Sequence, residues 1–329
     1  MKVAVVILNW NGSALLREFL PSVVAHSPGA DVYVADNAST DDSVAVLERE
    51  FPSVKLIRND RNYGFASGYN HALKHVQAEV FALVNSDVEV TPGWLEPMVT
   101  ELEKYPDVAI VQPKILDHKN KSHFEYAGAA GGFIDKFGYP FCRGRLFETL
   151  ERDNGQYDDA DIFWASGACM LVRADVYRDL GGFDTDFFAH QEEIDLCWRA
   201  HNSNHRVRYV SASTVFHVGG ATLEQGHPRK TFLNFRNSLV MLLKNLPSGQ
   251  VLPVIFTRLC LDGVAGVQFA LRGKFTHTMA IVNAHFSFYG QWSKTWRKRT
   301  GAHNRKYYKV KSIVYKYFVK GKRTFTAFF

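Results

Sequence analysis

Cysteine is sparse in this chain of 329 residues: Cys142, Cys169, Cys197 and Cys260 are the four present. No two stand at CxxC spacing, which argues against a zinc ribbon or a disulfide scaffold and suits a reducing cytosol. Long apolar runs are also lacking. The first, Val3 to Leu8, meets polar Asn9 at once and is too short for a signal peptide. Residues 251–271 are interrupted by Arg258, Asp262 and Gln268, and 275–293 carry Thr, His, Asn, Ser and Gln, so neither stretch reads as a membrane span. No GxGxxG follows the first apolar run, which argues against a dinucleotide dehydrogenase. Without GxxxxGK[ST] or GxSxG, P-loop chemistry and an α/β-hydrolase are out. Acidic residues stop at Asp262: residues 263–329 hold 14 Lys and Arg and no acid, while the first 262 carry 25 basic and 33 acidic residues. A mildly acidic body with a basic, aromatic tail points to an anionic partner.

What is present is an ordinary globular balance, 46% hydrophobic and 22% charged. Strand-length apolar runs at Val3–Leu8, Asp31–Ala35, Val54–Ile57, Val80–Val84 and Val108–Val111 alternate with helical patterns. Those helices are expected from Ser13 to about Val24, after Ser39 or Thr40, over Gly68–Val76, and from Pro92. The alternation predicts an α/β fold, a parallel sheet with helices on both faces. Residues 114–160 are glycine-rich and read as a flexible loop or hairpin region over the site. Strands resume at Cys169–Val172 and Val207–Val210, and 231–246 and 251–272 look helical.

In such sheets ligands bind beyond the carboxyl ends of the strands. The polar residues there are Asn9 and Asn11, Asp36 and Asn37, and Asn85 and Asp87. Turn preference alone explains one such end more readily than three. A carboxylate such as Asp36 commonly accepts hydrogen bonds from a base or ribose, and Asp87 is a hard ligand suited to Mg²⁺ or Mn²⁺. In HQEEIDLCWRA (190–200) Glu192, Glu193 and Asp195 crowd a helix start. The bland reading is helix-dipole interaction with Arg199 pairing back to Asp195. The functional reading is a tuned general base beside exposed aromatics of GGFD (181–184) and FFAH (187–190). A lone histidine such as His217 is more often structural than a ligand, but before Gly219-Gly220 it could approach a phosphate or a metal.

In order, VVILNWNG (5–12), VADNASTDDS (34–43), NYGFASGYN (62–70), NSDVEV (85–90), SGACMLVR (166–173), GGFD, EEIDLCWR (192–199) and HVGGAT (217–222) resemble the inverting family 2 glycosyltransferases, specifically the bacterial rhamnosyltransferase-like branch. The resemblance implies a GT-A fold and a nucleoside-diphosphate sugar donor. Asn9, Asn11, Asp36, Asn62, Gly64, Gly68, Asn70 and Asn85 would line the donor pocket. Asp87 would be the metal-binding acid of a D-x-D-like motif whose first acid is here Asn85, with His217 touching metal or diphosphate. Glu193 stands where the family has its base, with Glu192 and Asp195 as alternatives. The implied cofactor is Mg²⁺ or Mn²⁺. The implied reaction is inverting transfer to a hydroxyl of a glycan acceptor, expected to be lipid-linked, in cell-surface polysaccharide assembly. The branch tilts the donor toward dTDP-rhamnose.

These readings divide the chain into a catalytic domain, 1–226, and a C-terminal helical region, 227–329. The donor side is 1–113 and the acceptor side 114–226. The tail is expected to lie on an anionic membrane, placing the protein in the cytoplasm, peripheral at the inner face of the cytoplasmic membrane. Nucleic acid is not expected as a partner. A sugar-1-phosphate nucleotidyltransferase would need a basic Gly-rich loop at 9–13, which NWNGS does not supply. A catalytically inactive carbohydrate-binding homologue would not need Asp87 or the acids at 192–195.

Overall fold

The computed structural model describes residues 1–219, 226–301 and 306–328. The first half runs β1 (Val3–Asn9), α1 (Ser13–His26), β2 (Asp31–Asp36), α2 (Ser43–Glu50), β3 (Lys55–Arg58), α3 (Gly64–Ala72), β4 (Val80–Asn85), β5 (Val88–Val90), α4 (Leu95–Lys104) and β6 (Val108–Asp117). Four short strands follow: β7 (Gly132–Ile134), β8 (Pro140–Cys142), β9 (Arg145–Leu146) and β10 (Thr149–Leu150). Then come β11 (Ala160–Ile162), β12 (Cys169–Arg173), α5 (Ala174–Asp179), α6 (Glu192–Asn202) and β13 (Arg206–His217). The C-terminal helices are α7 (Pro228–Asn245), α8 (Val251–Leu271) and α9 (Phe275–Arg297).

The main sheet has the order β11-β13-β6-β12-β4-β1-β2-β3, with β5 on the end of β13. Strands β1 to β4 are mutually parallel, β12 runs against both β4 and β6, and β13 is parallel to β6. Alternation along β1 explains the two-sided core. Val3, Val5 and Ile7 pack with Leu16, Leu20 and Val23 of α1 and Met98 of α4, while Ala4 and Val6 face Tyr69 and Leu73. Register sets Asn9 opposite Asp36 and Asn85 opposite Leu8, so three strands end in polar residues at one edge.

Several local expectations shift. α3 begins at Gly64, not Gly68: Gly64 makes the entry turn at φ +73°, and Phe188 O accepts from the first-turn amides of Phe65 and Ala66. α2 begins after Asp42, and α4 only at Leu95, with Pro92 in the preceding turn. Over 114–160 the hairpin alternative holds: β6 extends to Asp117, and β7 to β10 form a small antiparallel sheet.

The C-terminal part shares its apolar core with the catalytic part. Leu239, Leu242 and Leu246 of α7 and its turn are buried in one cluster with Leu196 and Trp198 of α6. The basic tail folds back instead of projecting as an arm. Tyr307 stacks on Trp198 at 5.0 Å, the Ile313 amide donates to buried Asp135 at 3.0 Å, and Phe325 packs on Phe133 and Phe141. Its periodic Tyr, Val, Ile and Phe residues find apolar partners, and that burial outweighs an extended surface arm.

α8 with its preceding turn, Ser248–Leu271, is long and apolar enough to cross a membrane by length and composition, contrary to the sequence reading. Its interrupting charges are nevertheless docked inward. Arg258 bonds Asp262 at 2.8 Å and lies 3.8 Å from the Tyr139 ring centroid. The opposite face, with Leu252, Phe256, Val264, Val267 and Leu271, is exposed, as are Phe275, Met279 and Phe286 of α9.

Candidate active site

The donor-side cluster forms where β1 and β2 end. The Asn9 amide donates to Asp36 and to Ser39 Oγ, both at 3.2 Å. Asp36 in turn accepts from the Ser39 amide at 2.9 Å. Asn11, at φ +50°, accepts from the Thr40 amide at 2.7 Å. Asn37 is buried and ties β2 to the next loop. Its Nδ2 donates to Asn62 Oδ1 at 3.0 Å and to Gly64 O at 3.1 Å, and its Oδ1 accepts from Asn59 at 3.0 Å. A Cβ on Gly68 would come within about 3 Å of Leu8 and Asn37, so glycine lets α3 approach that edge. Asn70, expected at the donor, is turned elsewhere. It brackets Phe183 through both backbone groups, donating at 2.7 Å and accepting at 3.0 Å.

A second group forms because β5 reverses after Asp87 and pairs with β13, setting Val88 opposite His217. Asp87 Oδ1 then lies 3.2 Å from His217 Nε2, and Glu125 Oε2 3.3 Å from His217 Nδ1, all three buried. Burial would raise Asp87, but the hydrogen bond and charge of His217 hold its carboxyl below the usual range. Burial would lower His217, yet the two carboxylates push it up to about 10. Among the described residues no three ligating side chains converge. Carboxylate and imidazole are nonetheless fit donors for Mg²⁺ or Mn²⁺. Asp87 would hold it, joined by His217 Nε2 once that nitrogen gives up the proton it shares with Asp87, with Glu125 facing Nδ1. Gly220 to Thr222 of the HVGGAT motif lie outside the described residues.

The acids 192–195 separate by environment. Asp195 is fully buried and accepts from Arg199 at 2.7 Å, Lys244 at 2.9 Å and Asn245 at 2.8 Å. Burial opposes its ionisation, but Arg199 and Lys244 hold it below the usual range. As a candidate base it is therefore fully engaged: its lone pairs face cations and an amide. Glu192 Oε2 and Glu193 Oε2 have no hydrogen-bond partner among the described residues. Burial drives both carboxyls up, Glu193 to about 7, and the charges of Glu193 and then Asp195 add to the rise at Glu192. Glu192 is buried, while Glu193 is partly open.

The three groups meet through the loops. The Asn85 backbone N–H donates to Ala168 O at 2.9 Å, and a Cβ on Gly167 would stand 3.8 Å from Glu193 Cβ. Phe188 lies against Gly64, and its carbonyl accepts from the Phe65 amide at 3.0 Å. Of the aromatics expected to be exposed beside the acids, Phe183 and Phe187 are core residues and only Phe188 is open.

Four contributors escaped the sequence reading. Ser39 and Glu125 complete the first two groups. Lys230, half-buried at the start of α7, adds its charge to the burial that lowers His190 to about 4. Asn237 of α7 reaches the carbonyls of Phe187, Ala189 and His190 at 3.0, 2.9 and 2.7 Å. That loop needs such support, since Phe188, His190 and Gln191 all take positive φ. Asn237 lies in the C-terminal helical region, 227–329, beyond the boundary drawn for the catalytic domain.

Residues 4–181, more than half the chain, match the model of glycosyl transferase family 2. The chain belongs to that family. It is a glycosyltransferase, which removes the nucleotidyltransferase alternative. It is 24% identical over 232 residues to the N-acetylglucosaminyl-diphospho-decaprenol L-rhamnosyltransferase of Mycobacterium tuberculosis, covering 65% of this chain and 75% of that protein. It is 26% identical to the O-antigen biosynthesis protein RfbC of Myxococcus xanthus, over 67% of this chain and 18% of that one. Among solved structures it is similar to residues 1–349 of S. aureus TarS in complex with UDP-GlcNAc, at TM-score 0.59, 16% identity, and coverage of 91% of this chain and 84% of that one. The mannosyltransferase PcManGT from Pyrobaculum calidifontis, in complex with GDP-Man and Mn²⁺, aligns at TM-score 0.55 and 15% identity, covering 89% and 88%. These likenesses agree with the GT-A fold expected from the motifs.

Proposed function

We propose that this glycosyltransferase inverts the anomeric centre of a nucleoside-diphosphate sugar while transferring it to a hydroxyl of a lipid-linked glycan. The observation that carries the reading is the pair of carboxylates, Glu192 and Glu193, each with a buried Oε2 lacking a hydrogen-bond partner among the described residues, beside loops whose backbone bonds the end of β4 and the start of α3. Glu193 is the base: it is the more open of the two, and its raised carboxyl is matched to taking a proton near neutral pH. Asn9, Asn11, Asp36 and Ser39 hold the nucleoside end, with Asn62, Gly64, Gly68 and Asn85 shaping the loop and sheet edge beside it. Asn70 and Asp195 act as braces, one holding Phe183 and the other α6 against α7. A divalent cation at Asp87 and His217 would offset charge on the leaving diphosphate. Attack by the acceptor oxygen as Glu193 takes its proton gives inversion in one displacement.

The exposed faces of α8 and α9 support a membrane-surface location. Contact there is chiefly apolar, with lysines and arginines of the helices and tail as a secondary, anionic-lipid contribution. The rhamnosyltransferase relative, whose name specifies a diphospho-decaprenol acceptor, favours a polyprenyl-linked substrate and keeps dTDP-rhamnose first among donors. The test incubates the purified protein and Mn²⁺ with labelled dTDP-rhamnose, UDP-sugars or GDP-mannose and a bacterial lipid extract. Label entering the organic phase with one donor supports the reading. Label reaching only water-soluble acceptors would overturn the lipid-linked part of it.

A further inference from the structure

A groove of about 490 Å³ lies between the first turns of α7 and α9, within the size range of small-ligand pockets. Phe232, Phe275, Met279 and Ala280 give it an apolar wall, and Arg229 stands at its rim. Among the described residues no acidic side chain lines it. Phe275 and Met279 also belong to the exposed apolar face, so the groove opens onto the surface read above as membrane-facing. On its other side, the Arg229 guanidinium sits 5.3 Å from the Phe188 ring centroid. Phe188 packs on Gly64 and precedes Glu192 and Glu193 by one short loop. The groove thus runs from the apolar face toward the acids, with a cation where the two meet.

We propose that the groove between α7 and α9 binds the hydrocarbon chain of an isoprenoid diphosphate acceptor, with Arg229 and Lys230 receiving the diphosphate. The inference rests on the lipid-linked reading above and adds the site that would hold the lipid. Charge and polarity select this occupant. A peptide or a second copy of the chain would bring polar backbone to a wall offering few hydrogen-bond partners, whereas an alkyl chain needs none. The cationic rim matches a doubly charged head group. Lys230, next to Arg229 in α7, interacts electrostatically with His190, two residues before Glu192, and with Glu125, which faces His217. A head group there would leave the first sugar directed at Glu193.

The experiment uses the full chain in detergent with EDTA, so that nucleotide–metal binding does not contribute. Binding of geranylgeranyl diphosphate, geranyl diphosphate and inorganic diphosphate is measured by thermophoresis. The twenty-carbon diphosphate should bind at least about tenfold more tightly than inorganic diphosphate, with the ten-carbon one between. Ala280→Trp, which fills the groove, should bring the long-chain value down to that of inorganic diphosphate. Met279→Glu, at an exposed position, should do the same if the tryptophan variant misfolds. Arg229→Ala with Lys230→Ala should weaken all three. UDP binding in Mn²⁺ should stay at the wild-type value in the groove variants, showing an intact donor side. Affinity independent of chain length, or long-chain binding unchanged in both groove variants, overturns the proposal. Neither result touches the transfer assay above, so the groove and the lipid-linked reading fail separately.

Discussion

Replacing Lys244 by Met tests whether α7 is part of the catalytic body. The ammonium lies 2.7 Å from Asp184 and 2.9 Å from Asp195, with all three side chains nearly inaccessible. Methionine keeps much of the length and removes the charge. Breaking one member of a buried ion pair costs about 3–5 kcal/mol. Asp195 retains Arg199 and Asp184 retains Lys298, so the lower end, about 3 kcal/mol, is expected. That is a large part of the roughly 5–15 kcal/mol of a typical domain. Urea unfolding at pH 7 reads it as a lower midpoint with an unchanged slope. The pH dependence gives a second check. Asp184 and Asp195 have folded values below their unfolded ones, so their stabilisation is present above the ordinary carboxylate range and is lost as pH falls from that range down through their depressed folded values. The variant should therefore lose less stability than wild type between pH 6 and 3. A destabilisation below about 1 kcal/mol, the level of an exposed pair, would refute the reasoning.

Further outcomes follow from other parts of the molecule. Glu193 must be deprotonated to act, so kcat/KM should climb with pH up to about 7 and level off above it; a flat profile from pH 5 to 8 would remove Glu193 as the base. EDTA should abolish donor binding measured by calorimetry, and Asp87→Ala should weaken it in Mn²⁺, whereas full activity in EDTA would end the metal role. Asn237→Ala leaves the Ala189 and His190 carbonyls without their donor, at a cost of about 1–3 kcal/mol for each unsatisfied group, while Phe187 O keeps the Ala189 amide and Arg236; it should lower kcat with little change in donor KM. Phe256→Asp with Val267→Asp should release the protein from both neutral and anionic liposomes in flotation, while high salt alone should release only part of it.

The sheet edge was readable because parallel strands announce themselves as apolar runs, and their ends must share an edge. Asn9, Asp36 and Asn85 follow from that alone. The approach of Asp87 to His217 does not, since it depends on three-residue β5 pairing across a gap of 130 positions. Glu125 lies in a stretch without periodicity and carried no signal. Composition misled at Asn70 and Asp195: turn-type and charged residues near motifs look functional until their partners are known, and here those partners are Phe183 and Lys244. The tail misled for a related reason. Its lysines dominate the count, but Tyr307, Ile313 and Phe325 decide where it goes, and they are buried. Truncation after Pro247 would therefore uncover the catalytic core, not release a self-sufficient donor domain.

Transfer by Glu193→Gln tests the central claim most directly. The amide preserves shape and hydrogen-bonding capacity but cannot accept the acceptor's proton. With a donor and lipid extract that support wild-type turnover, the variant should bind donor in Mn²⁺ with wild-type affinity. Its transfer rate should fall by about 10²–10⁴-fold, the contribution of a positioned base. Turnover within a few fold of wild type would contradict the account and move the proton acceptor to Glu192.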